Sequence, residues 1–166
     1  QDNNLSTFWT YLVAAMQTQA PGFAQRLFTE LISTQTPPER FLPEFVDQAV
    51  QLPGKIRIVL DDYHLIENPA IHESLIYLVE HLPETLFIII CTRSDPPMPL
   101  SRWRVRGYLT EIRLKDLRFT YAEAQAFLRD FMKLQLEDDE IASLETRTEG
   151  WVAGLQLAAL ALQETL

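Results

Sequence analysis

Apolar residues recur with a helical period along the first third of the chain. Leu5, Phe8, Trp9, Leu12, Val13 and Met16 line one face of a first helix, for which Ser6 is the expected N-cap. Pro21-Gly22 ends it. Phe23, Leu27, Phe28, Leu31 and Ile32 form a second stripe, and Pro37-Pro38 punctuates the chain. A third helix carries Phe41, Leu42, Phe45, Val46, Ala49 and Val50. Pro43 is expected in its first turns, where a missing N–H costs least.

The period then changes. After the turn at Pro53-Gly54, Ile56 to Leu60 is short, β-branched and nearly all apolar, the pattern of a parallel strand buried on both faces. A helix is predicted from about Pro69 to His81, and a second buried strand from Leu86 to Cys91. This strand–helix–strand unit has crossover length, so its strands should be parallel. A polar loop, Thr92 to Pro99, holds three prolines. Leu100 to Arg106 reads as a short basic helix, and the alternation from Tyr108 to Leu114 reads as a third strand. From Thr120 the pattern is all helical. Thr120 with Glu123 makes a capping box, and helices are predicted over about Tyr121–Met132, Asp138–Thr146 and Trp151–Glu164. A boundary near Lys115–Phe119 gives an α/β domain, residues 1–116, and a small all-helical domain, residues 117–166.

Composition narrows the function. At 166 residues, 47% hydrophobic and 22% charged, the chain is of ordinary globular character. Its 14 basic against 23 acidic side chains give a formal net charge of -9. Such a chain repels phosphates, which argues against gripping DNA or an anionic membrane by itself but leaves room for a separate DNA-binding domain in a longer parent. The single cysteine, Cys91, excludes an intramolecular disulfide and a multi-cysteine metal site, fits a reducing cytoplasmic compartment, and reads as a core thiol. No apolar run approaches the roughly 20 residues that span a bilayer. With no initiator Met and no leader pattern, the expectation is a piece of a larger cytoplasmic protein.

Two strand ends carry the chemistry. Ile58-Val59-Leu60-Asp61-Asp62-Tyr63-His64 is a buried strand ending in two acids, the Walker B arrangement. Such a strand delivers one carboxylate to the water shell of a nucleotide-bound Mg²⁺ and a second to the attacking water. The alternative is two acids that merely end a strand. Ile88-Ile89-Ile90-Cys91-Thr92-Arg93 is a neighbouring strand ending in an arginine, which can sense γ-phosphate charge or be an ordinary surface cation. Arg102, Arg104 and Arg106 around Trp103 read as a solvated face balancing nearby acids, or as a phosphate or acidic-partner contact. His64, His72 and His81 match no metal spacing, and His72 and His81 read as surface or partly packed helix residues. Small residues from Gly150 to Ala159 allow close approach of a helix start, either to another helix or to a ligand.

The order LDDYH, CTRSDPPMPLSR, LRFT and TEGWVAGLQLAAL resembles the ATPase region of MalT-type, large LuxR-family transcriptional regulators, in the STAND class of P-loop NTPases. The resemblance runs from about Phe8 to Leu162. It implies a partial P-loop three-layer core with a parallel sheet, followed by a helical lid. It implies that Asp61 holds Mg²⁺ through water, Asp62 is the second acid, Arg93 is the sensor arginine, and Gly154 approaches the adenine side. Gln156 stands where related proteins have proline, which weakens direct adenine contact. The implied cofactors are ATP or ADP with Mg²⁺. The implied partners are a second copy of the ATP-bound parent, and DNA only through a separate C-terminal domain. No GxxxxGK[ST] occurs in the chain, so the phosphate-binding loop is expected upstream, with its strand between Leu86–Cys91 and Tyr108–Leu114. By itself the chain is expected to bind ATP poorly. Two other readings stay open: a non-catalytic scaffold with a degenerate site, and an unrelated α/β enzyme using Asp61 or Asp62 as general base.

Overall fold

The computed structural model describes residues 3–33 and 38–163, with the side chains of residues 31–40 left aside. The predicted roles of Leu31, Ile32 and Pro37 lie outside the described residues, as does Glu164. The chain divides into two compact units, Gln1–Val105 and Arg106–Leu166.

In the first unit the helices are α1 (Leu5–Gln19), α2 (Gln25–Ser33), α3 (Pro38–Val50), α4 (Pro69–Glu80) and α5 (Leu100–Arg106), whose last residue belongs to the second unit. The strands are β1 (Ile56–Leu60) and β2 (Leu86–Ile90). The predicted stripe of α1 is the buried one: Phe8, Trp9, Leu12, Val13 and Met16 enter the core. The cap differs from expectation. Asn4, not Ser6, caps α1, its side chain accepting the Thr7 N–H at 3.0 Å. Pro43 also sits deeper than expected, inside α3, where one i→i−4 bond is lost.

The aromatic residues of the three stripes converge. Trp9 packs edge-on against Phe8, Phe41 and Phe45, and Phe23 meets Phe45 at 90°. Such pairs add about 0.5–1.5 kcal/mol beyond burial. The indole N–H of Trp9 donates to Ser74 Oγ of α4 at 3.0 Å, and Ser74 donates to the Ile71 carbonyl, so the buried polar atoms are satisfied. Ala24 links α1 to α2 with a φ of +50°, and its N–H is taken up by Gln48 Oε1 of α3 at 2.9 Å.

β1 and β2 are parallel, in register from Ile56↔Leu86 to Leu60↔Ile90. One face, including Ile58 and Leu86, joins the helical core. The expected burial of both faces is not found: Val59 is 58% exposed, Phe87 41% and Ile89 43%. Lys55 and Arg57 lie over the Phe87 ring. The outer face is apolar apart from Arg57, and among the described residues only the inner face joins the helical core. The architecture is mixed helix and sheet, with a two-stranded sheet among the described residues.

The third predicted strand does not form. Residues 108–113 are irregular, with Tyr108 and Ile112 exposed, and Leu114–Leu117 is a short helix, α6. An alternating segment is a strand only where a neighbouring ladder pairs it. Here the local alternative is an N-cap turn, in which the Arg113 N–H donates to Asp116 Oδ2 at 2.8 Å.

The rest of the second unit is α7 (Tyr121–Ala126), α8 (Asp138–Thr148) and α9 (Val152–Gln163). The Thr120/Glu123 capping box forms as predicted. The predicted single helix to Met132 widens instead into a π turn, Phe127–Phe131, and Lys133 at φ +59° follows it. Ala124, Leu128, Leu134, Ile141, Leu155 and Ala159 make a separate small core. No helix among the described residues is long and apolar enough to cross a membrane.

Candidate functional site

Parallel register sets the site. Because β1 and β2 pair to their last residues, both chains leave the ladder at the same end. The pairing continues one step beyond: the Cys91 N–H donates to the Leu60 carbonyl at 2.9 Å, and the Tyr63 N–H donates to the Cys91 carbonyl at 3.0 Å. Asp61 and Asp62 on one side, and Thr92 and Arg93 on the other, therefore follow adjacent strand ends. These are the residues that the sequence singled out.

Asp61 and Asp62 are exposed, as is Arg93. One carboxylate oxygen of Asp61 accepts the Asp62 N–H at 2.9 Å. Asp62 adopts a left-handed conformation, φ 48° and ψ 36°, and opens a short 3₁₀ turn, Tyr63–Leu65. This bend turns the chain away from the strand direction and leaves both carboxylates at the sheet end. His64 Nδ1 lies 3.8 Å from Asp62 Oδ1, is itself buried, and has no hydrogen-bond partner.

Cys91 is exposed, not the core thiol expected. It follows the last residue of β2, beyond the helices that cover the strand, so its apolar neighbours in sequence do not bury it. His72 is the opposite correction. The sequence predicts a surface or partly packed helix residue, yet His72 is 7% exposed, because it points from α4 towards Tyr63. The Tyr63 hydroxyl lies 2.6 Å from His72 Nδ1. Burial holds His72 below the usual histidine range and the Tyr63 hydroxyl well above its own. A neutral ring that accepts at Nδ1 carries its proton on the other nitrogen.

Sequence reasoning also missed Asn3. Its Oδ1 accepts the Glu67 N–H at 2.7 Å, its Nδ2 donates to the Leu65 carbonyl, and its carbonyl accepts from Asn68 Nδ2, the cap residue of α4. The start of α1 is thus tied to the loop that follows the acids. The Asn3-Asn4 pair was the available signal, since asparagine commonly bonds backbone at turns and caps.

Gly154 belongs to the second unit. A Cβ there would stand 3.1 Å from Thr148 Cβ and Cγ2, so its small size serves close packing of α9 on the end of α8. The LRFT and TEGW segments meet: Arg118 pairs with Glu149 at 2.8 Å. In the first unit Arg102 pairs with Glu80, in keeping with a basic face that balances acids.

The implied metal fits in part. Among the described residues no group of three or more His, Cys, Asp or Glu side chains is arranged to hold an ion. Mg²⁺ held mainly by water and phosphate needs only one or two carboxylates, which Asp61 and Asp62 offer. The phosphate cradle is not among the 166 residues.

No protein-family model matches the chain. Individual proteins do. The chain is 36% identical, over 98% of its length, to the HTH-type transcriptional regulator MalT of Yersinia enterocolitica, and 35% identical over the same share to that of Yersinia pestis. It spans 18% of the length of each. Over nearly its whole length, then, the chain is similar to one segment of MalT-type regulators, as the order of its motifs implied.

Proposed function

We propose that this chain is part of the ATP-binding signalling module of a MalT-like transcriptional regulator, and that it carries the Walker B and sensor elements. The observation that supports this reading is the parallel register of β1 and β2, which brings Asp61-Asp62 and Thr92-Arg93 to one sheet end. Asp61 would hold the water shell of Mg²⁺, and Asp62 would orient or deprotonate the attacking water. Arg93 would read the charge at the γ-phosphate. The helical second unit, with Gly154, would be the lid, and its closure would depend on nucleotide state. Bound Mg²⁺ would neutralise phosphate charge, and the chain's own contribution is to place acid and arginine around it. Self-association of the ATP-bound parent and DNA contact through another domain belong to the same proposal.

Calorimetry of ATP and ADP binding, with and without Mg²⁺, tests it on a full-length MalT-type regulator carrying this segment. Mg²⁺-dependent binding that weakens in Asp61→Asn supports the reading. An absence of nucleotide binding in the wild type favours a scaffold domain with a degenerate site.

A further inference from the structure

We infer that Tyr63 and His72 are positioning residues for the acidic turn: their buried hydrogen bond fixes the backbone that aims Asp61 and Asp62. The inference rests on the reading of that turn as a metal–nucleotide site.

Asp62 needs an external hold. Its left-handed backbone is unfavourable for a residue with a Cβ, although aspartate tolerates it better than most. Such a conformation persists only when its surroundings impose it. The Asp62 side chain does not supply the hold, being 61% exposed and making no cap bond. The Asp61 carboxylate reaches only the next N–H.

The hold comes from the following residue. The Tyr63 backbone is tied to β2 through the Cys91 carbonyl. The residue is 2% exposed, and its ring meets the His72 ring edge-on at 5.5 Å. Its hydroxyl reaches His72 Nδ1 at 2.6 Å. The loop leaving β1 is therefore tied at Tyr63 to one buried side chain. That side chain sits on α4, which is anchored to the core through Ser74 and Trp9. A phenylalanine at position 63 would fill the same space, so packing alone does not call for the hydroxyl.

Amide exchange by NMR on the intact chain tests the hold directly. Tyr63→Phe and His72→Leu should each raise exchange at the residue 63 amide about ten-fold while the β1–β2 ladder amides keep their rates. His72→Gln, which retains an acceptor and a donor, should restore protection in part. In the full-length regulator, Tyr63→Phe should weaken ATP binding about ten-fold in Mg²⁺ and leave Mg²⁺-free binding unchanged. Unchanged exchange at residue 63, or an equal rise throughout the ladder, overturns the inference. So does ATP binding that falls equally with and without Mg²⁺. If the wild type binds no nucleotide, the reading of the site fails, and the exchange data still decide whether the pair holds the turn.

Discussion

The Phe119 N–H donates to the Gly150 carbonyl at 2.7 Å, and a Cβ placed on Gly150 would stand 2.5 Å from the Phe119 carbonyl oxygen. Gly150 is at φ +72°, so it lacks a side chain for two reasons at once. Gly150→Ala should cost about 1–2 kcal/mol from the backbone conformation alone. The clash with backbone should add to that, because the Phe119 carbonyl cannot swing aside as a flexible side chain can. Thermal melts followed by the near-ultraviolet signal of Trp151 should show an early transition in this variant.

Ser74→Ala should destabilise the first unit by about 1–3 kcal/mol, since it leaves the buried indole N–H of Trp9 without its acceptor. Urea unfolding should show a lower midpoint with an unchanged slope. A change within a few tenths of a kcal/mol would mean that another acceptor replaces Ser74.

His72 predicts a pH dependence. Its folded-state pKa is lowered, first by burial, against the usual 6.5, so the unfolded chain binds the proton more readily. This part of the stability is present above about 6.5 and is lost as pH falls through the folded value. The difference in unfolding free energy between wild type and His72→Gln, measured across that range, should shrink toward acid. A difference constant with pH would show that His72 does not titrate in the fold.

Cys91 is exposed and should react stoichiometrically with a thiol reagent in the native chain. Labelling that requires denaturant would mean that the end of β2 is covered.

The helices of the first unit were legible because their stripes are wide and aromatic. Trp9, Phe41 and Phe45 fall on faces that can only be satisfied together. The parallel pair was legible from strand length and crossover spacing, and with it the common end at which Asp61 and Arg93 leave the sheet. Caps were less so: Asn4 and Ser6 are both good cap residues, and the choice between them depends on Asn3 reaching a loop distant in sequence. The segment from Tyr108 to Leu114 shows the limit of alternation, which records side-chain order but not the presence of a partner strand. Tyr63 and His72 carry no spacing motif, because the contact depends on where the turn after Asp62 places the ring. The π turn at Phe127–Phe131 was likewise hidden, since its apolar pattern fits an ordinary helix.

The register of β1 and β2 also orders events in time. Ile56 pairs with Leu86 across the whole of α4, so the ladder cannot close until a long stretch of chain is brought back on itself. Loop closure of that kind is slow unless the intervening chain is already compact. The helix is therefore the natural nucleus of the first unit and the sheet its late product. Substitutions inside α4, such as Leu75→Ala, should slow folding, and those on the exposed strand face, such as Val59→Thr, should mainly speed unfolding. The acidic turn, which hangs from the last rung of the ladder, would be among the last parts of the chain to take shape.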